Sequence, residues 1–164
     1  MLGTADVDVA ISVDIGCVRL TERHFTGGYT DTAVAAATAD IDAALTRVAA
    51  EVPVARARTL IGLAGSVTTV AGIALGLPAY DASRTHGSRV PAAEVHAVSR
   101  RLLGMTHEER AAIPVMHPGR VDVIGAGALI LDRVVERFGF TDVLVSEHDI
   151  LDGIARGLGQ ESWA

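Results

Sequence analysis

Apolar residues recur along this chain in two periods, and the changes of period mark its elements. Val7 to Asp14 alternates apolar and polar side chains, which predicts a half-buried strand broken at Gly16. Val18 to His24 reads as a short helix or turn before the Gly27-Gly28 break. From Tyr29 to Glu51 the sequence is alanine-rich. Val34, Thr38, Ile41, Leu45 and Val48 fall at three- and four-residue steps there, one face of a long helix. Thr30 or Asp31 is available to cap it, and Val52-Pro53 ends it. Thr59 to Leu63 reads as a short buried strand. A glycine turn over Gly62–Thr69 leads to a helix over Val70–Leu75, stopped by Gly76-Leu77-Pro78.

The second half is mostly helical. Ala79 to Val90 reads as a polar loop. Pro91 occupies the first position of a helix running to Leu103, with Val95, Val98 and Leu102 as its stripe and Gly104 closing it. Thr106-His107-Glu108-Glu109 has the form of a capping box, opening a short helix that ends near Ile113-Pro114. Pro118-Gly119-Arg120 is a turn. Val121 to Phe138 is apolar nearly all round, a buried helix with Gly139 just past its end. Asp142 to Val145 is a last buried strand, and Asp149 to Leu158 a terminal helix with a short tail.

Strands alternating with helices imply an α/β class with a small sheet flanked by helices. Three strands are few for so much helix, so strands are expected to be missing at the N-terminus. With no repeat or linker, residues 1–164 form one domain.

Composition narrows the function. The formal net charge of −6 argues against general nucleic-acid binding. No apolar run has the length of a membrane span, and the start at Met1–Asp6 lacks the basic and apolar regions of a secretory leader. One cysteine, Cys17, excludes an internal disulfide and fits a cytoplasmic protein; it reads as a small buried apolar residue.

The turn from Gly62 to Thr69 holds the candidate chemistry. Helix N-termini present unpaired N–H groups and a positive dipole end. Glycines let an anion approach, and hydroxyls add donors, so Gly65, Ser66, Val67 and Thr68 can cradle a phosphate. On spacing alone a plain strand-to-helix turn with Ser66 as N-cap is the better reading. The other candidates are weaker. The six histidines show no metal spacing, and His107-Glu108-Glu109-Arg110 lacks the second histidine of a helical zinc site. Ser146, His148 and Asp149 are too close in sequence for a hydrolase triad. Gly125-Ala126-Gly127 lies inside a helix and reads as close packing. Arg84, Arg89, Arg100 and Arg101 read as a solvated face, and Arg120 with Asp122 as a structural pair flanking a helix start.

Four blocks in order resemble one family. They are Ser12-Val13-Asp14-Ile15-Gly16-Cys17-Val18-Arg19-Leu20-Thr21-Glu22, Gly62–Thr69, Pro118-Gly119-Arg120-Val121-Asp122 with Gly125-Ala126-Gly127, and Val145–Gly153. They are similar to the second domain of the exopolyphosphatase / guanosine pentaphosphate phosphohydrolase (Ppx/GppA) proteins. The resemblance implies a ribonuclease-H-like domain of the actin-like ATPase superfamily with a small mixed sheet. It implies a two-domain hydrolase releasing terminal phosphate from inorganic polyphosphate or guanosine pentaphosphate (pppGpp), with Mg²⁺. The family's catalytic glutamate and its Asp-x-Gly-Gly-Gly-Ser loop have no counterpart in this sequence. No catalytic residue and no metal ligand is therefore assigned in this chain. Gly65, Ser66, Val67 and Thr68 are expected to bind phosphate or nucleoside, with Arg120 and Asp122 supporting the cleft. The expected partners are a missing N-terminal domain and the anionic substrate, with a homodimer as a further possibility. The alternative is a non-catalytic half-domain that oligomerises or binds a ligand through its open sheet edge.

Overall fold

The computed structural model describes residues 2–3 and 7–160, with side chains over 7–155. Met1, the segment Thr4-Ala5-Asp6 and the residues beyond Gln160 lie outside the described residues. A short antiparallel pair, β1 (Leu2–Gly3) and β2 (Val7–Val9), precedes α1 (Cys17–His24) and α2 (Asp31–Glu51). Then come β3 (Leu60–Leu63), α3 (Ala64–Ala74), α4 (Ala82–Thr85) and β4 (Arg89–Pro91). The rest is α5 (Ala92–Gly104), α6 (His107–Ala111), α7 (Ile124–Phe138), β5 (Asp142–Ser146) and α8 (Ile150–Gln160).

The main sheet is mixed, in the order β3-β5-β4. β3 runs parallel to β5, with Leu60 opposite Val143 and Leu63 opposite Ser146. β4 is antiparallel to β5, with Val90 opposite Val143. β3 is therefore an edge strand, and the β1–β2 pair stands apart from it.

α7 is the axis of the fold. Leu20, Ile41, Leu45 and Leu129 bury α1 and α2 on one side of it. Val70, Val95, Leu102 and Val143 bury α3, α5 and the sheet on the other. Each such fully buried aliphatic side chain contributes about 1.5–3 kcal/mol. The small residues Gly125-Ala126-Gly127-Ala128 let the flanking helices come close, since a Cβ on Gly125 would run into the Tyr29 ring. Arg110, 7% exposed, closes this region. It donates to the Val121 and Met105 carbonyls and lies over the Tyr29 ring, 4.8 Å from its centroid.

Local chemistry explains the boundaries. The Thr30 hydroxyl accepts from Ala33 N–H at the start of α2, and Thr106 with Glu109 forms a complete capping box on α6. Gly139 ends α7 with φ 69°, a conformation glycine adopts without strain.

Several expectations need correction. The alternation over Val7–Asp14 yields a strand only at Val7–Val9, because only that part has a partner strand. The loop over 79–90 contains both α4 and β4. Pro91 is the N-cap of α5 and not its first residue. α7 starts at Ile124, after a 3₁₀ turn at Pro118–Arg120.

Candidate anion-binding site

At the carboxyl end of β3 the chain reverses with no linker. Leu63 is the last strand residue and Ala64 the first helical one. The reversal is concentrated at Ala64, whose φ of 69° is left-handed. For a residue with a Cβ that conformation costs roughly 1–2 kcal/mol. α3 also begins earlier than the apolar pattern predicts, so Ser66 is not its N-cap. Leu63 holds that position, and no side chain caps the helix. The first-turn N–H groups keep their donor capacity.

The Ser66 side chain turns instead toward α7. A Cβ on Gly127 would stand well inside 3.0 Å of the Ser66 side chain and 3.4 Å from the Cβ of Cys17. Cys17 is partly buried at the first position of α1, and its N-cap, Gly16, has no side chain to offer. Two helix N-termini, both without side-chain caps, thus meet over one glycine of α7. Their dipoles add partial positive charge at adjoining positions. The reading of Cys17 as a simple core residue missed this placement.

Arg120 completes the positive character. Its guanidinium lies directly on Gly65, in the space where a Cβ would begin. One of its nitrogens donates to Thr69 Oγ1 at 3.1 Å, and that hydroxyl donates to the Gly65 carbonyl at 2.7 Å. Among the described residues no carboxylate pairs with Arg120. Asp122 does not: it is exposed and lies 3.2 Å from His107. The expected Arg120–Asp122 pair is therefore absent. A guanidinium held at the positive end of a helix without a counter-ion adds to the positive potential there, which favours an anion.

The remaining expected residues divide. Thr68 is buried, with its hydroxyl 3.4 Å from the Gly65 carbonyl. Val67 packs its side chain on the core, where a Cβ on Gly62 would meet it at 2.8 Å. Only the Val67 backbone remains for a ligand.

A second group, not legible from the sequence, borders the first. Glu147 follows β5 directly, and its carboxylate accepts from the Tyr80 hydroxyl and from the buried Thr85 hydroxyl. Its backbone N–H donates to His86 Nδ1 at 3.2 Å, and His86 packs edge-on against His148 at 4.8 Å. Burial first, then the Glu147 carboxylate, pushes the Tyr80 hydroxyl above its ordinary pKa. Hydrogen bonding from Thr68 and the Arg120 charge work against that rise. Tyr80 therefore links Glu147 to the first turns of α3. The available signal was position alone: ligands of parallel α/β sheets gather at the carboxyl ends of the strands.

Ser146 Oγ donates to the His148 backbone carbonyl, so it forms no nucleophile pair with histidine. Among the described residues no three His, Cys, Asp or Glu side chains gather as a metal set. A divalent cation thus finds no ready ligand group among the described residues. A cavity of about 250 Å³ lies at the opposite end of the sheet, lined in part by Arg58, Thr59 and Asp142. Among the described residues no helix is long and apolar enough to cross a membrane.

The fold is that of an α/β domain of the actin-like ATPase class, with a small mixed sheet flanked by helices. The chain matches the Ppx/GppA phosphatase family over residues 1–158, and it belongs to that family. It is 46% identical over 163 residues to exopolyphosphatase 2 of Mycobacterium tuberculosis, covering 96% of this chain and 51% of that protein. A solved exopolyphosphatase-like protein is 37% identical with a TM-score of 0.88, over 91% of this chain and 50% of that one. The Aquifex aeolicus Ppx/GppA family member shares the fold at 24% identity and a TM-score of 0.81, over 94% of this chain and 50% of that one. The chain spans about half the length of the curated relatives it matches.

Proposed function

We propose that this chain is one wall of a phosphoanhydride-binding cleft in a hydrolase that releases terminal phosphate from a polyanionic substrate. One observation carries the reading: the Arg120 guanidinium, without a carboxylate partner, lies on Gly65 at the uncapped start of α3. In this reading Arg120 and the backbone N–H groups of Gly65, Ser66 and Val67 hold phosphate oxygens, and Thr68, buried behind them with its hydroxyl on the Gly65 carbonyl, shapes the turn. Charge-assisted bonds of this kind are about twice as strong as neutral ones. Asp122 acts only at the rim, through His107.

The chain binds and orients; it does not itself activate water. The carboxylate joined to the seat through Tyr80, Glu147, is engaged by the Tyr80 and Thr85 hydroxyls. The attacking group and the Mg²⁺ expected for the whole protein then come from a complementary half. The half-length match to exopolyphosphatase 2 supports this division. Purified chain incubated with polyphosphate is expected to release no phosphate in a malachite-green assay. Release at ordinary enzyme concentrations refutes the division of labour.

A second reading, a non-catalytic half-domain that associates through its sheet edge, has its own support. β3 is an edge strand with Ile61 57% and Leu63 44% exposed, and α8 exposes Ile150, Leu151 and Ile154. Light scattering separates the two. A monomer at high concentration rules out self-association, and a dimer abolished by Ile61→Lys supports it.

A further inference from the structure

Arg120 reaches Gly65 and Thr69 from a short stretch, residues 120–123, between the 3₁₀ turn and α7. Two backbone bonds fold that stretch: Arg120 N–H donates to the His117 carbonyl at 2.9 Å, and Val123 N–H to the Arg120 carbonyl at 3.0 Å. The next two carbonyls are held by side chains from other elements. Arg110 Nε donates to the Val121 carbonyl at 3.1 Å, and the Tyr29 hydroxyl donates to the Asp122 carbonyl at 3.0 Å. The N–H groups of Gly125 and Ala126, in the first turn of α7, bond to the same Tyr29 oxygen. The N-cap of α7 itself offers no side-chain bond, so Tyr29 caps this helix from far off in the chain.

Arg110 is 7% exposed, and a buried guanidinium costs stability unless its N–H groups are bonded. Its Nη1 donates to the Met105 carbonyl at 2.7 Å while its Nε donates to Val121. The planar fork thus fixes Val121 against the end of α5, a geometry that a lysine does not reproduce. The guanidinium carbon lies over the Tyr29 ring, and Phe25 backs that ring at 4.5 Å, so the two side chains brace each other. Resting on the anion seat proposed above, we infer that Arg110 and Tyr29 are positioning residues for Arg120. They hold the stretch that carries it, so that its guanidinium already lies on Gly65 when an anion arrives. A side chain fixed at its base loses less freedom on binding, and the anion gains affinity from that.

The test is a double-mutant cycle read by calorimetric titration of inorganic tripolyphosphate. Tyr29→Phe keeps the ring and removes the hydroxyl. It is expected to weaken tripolyphosphate about three- to tenfold, the worth of one hydrogen bond. In an Arg120→Ala background the same substitution is expected to change nothing. A purely structural role gives a different pattern: a lower melting temperature, with affinity unchanged or reduced equally in both backgrounds. Either result overturns the inference while the seat stands. Arg110→Lys is the second variant, and the same cycle is expected of it. The ligand-free protein supplies an independent readout by nuclear magnetic resonance. The Arg120 side-chain Nε–H group should give a heteronuclear NOE typical of a rigid group in wild type and of a mobile one in Tyr29→Phe. Equal values in the two overturn the inference. If wild type does not bind tripolyphosphate, or Arg120→Ala binds it as well as wild type, the seat falls, and the NOE alone decides whether Arg110 and Tyr29 hold Arg120 in place.

Discussion

The Arg120 guanidinium fills the space in which a side chain on Gly65 would begin. The obstacle is the far end of a flexible side chain, so it can be displaced without disturbing the core. Gly65→Ala is therefore expected to push Arg120 off the start of α3. Stability should hold or rise by up to ~1 kcal/mol, because alanine favours the helix. Tripolyphosphate affinity should fall as it does in Arg120→Ala. Thermal melts and calorimetry on the same sample separate the two effects. A loss of stability with intact binding would show that Gly65 serves packing.

Gly127 makes the opposite case. There an added Cβ meets the Ser66 side chain close to its own backbone, with the Ser66 Cβ at 2.7 Å. Nothing flexible can give way, so α3 must move off α7. Gly127→Ala is expected to destabilise the protein by about 1–3 kcal/mol, as overpacking does. Gly153→Ala in α8 is the control, since nothing lies within 4 Å of a Cβ there. Urea denaturation of the pair measures the contrast.

Ala64 stores strain at the head of the seat, with φ at 69°. Ala64→Gly removes the Cβ clash and is expected to raise stability by up to ~1 kcal/mol. A decrease on denaturation would mean that the left-handed turn is not the native one.

Tyr80 supplies a pH signature. Its hydroxyl pKa is raised above the ordinary 10.0 by burial and then by Glu147. The neutral phenol is the form favoured in the fold. The associated stability is complete below about pH 10 and is lost as pH climbs through the raised value. Ultraviolet difference titration should place the Tyr80 transition above that of a free tyrosine, and Tyr80→Phe identifies it against Tyr29, which burial also raises. Glu147→Gln removes one of the two causes and should move the transition back toward 10.0, leaving the burial contribution. No movement would mean that the Tyr80–Glu147 bond is not formed.

Elements with strong local signals were legible in the sequence. The α2 periodicity, the Thr106–Glu109 capping box and Gly139 each specify their structure within a few residues. β4 was not legible, because in Arg89-Val90-Pro91 only Val90 is buried and three residues carry no period. The start of α3 was misplaced because Ala64-Gly65 reads as a turn, and one left-handed residue does the work of a loop. At the site, Gly65, Ser66 and Thr68 stood out through helix-terminus chemistry. Tyr80 and Glu147 did not, since they are 67 residues apart and meet only through the sheet. Sequence proximity misleads at Arg120: Asp122 is its near neighbour along the chain, but Gly65 and Thr69 are its neighbours in space.

The central claim is that Arg120 anchors an anion at the start of α3. Its most direct test is calorimetric titration of inorganic tripolyphosphate into wild type, Arg120→Ala and Arg100→Ala, the last removing an exposed arginine from α5. Loss of a charged hydrogen-bonding partner should weaken binding about tenfold or more in Arg120→Ala and leave Arg100→Ala near wild type. Unchanged binding in Arg120→Ala, or an equal drop in both variants, would contradict the claim.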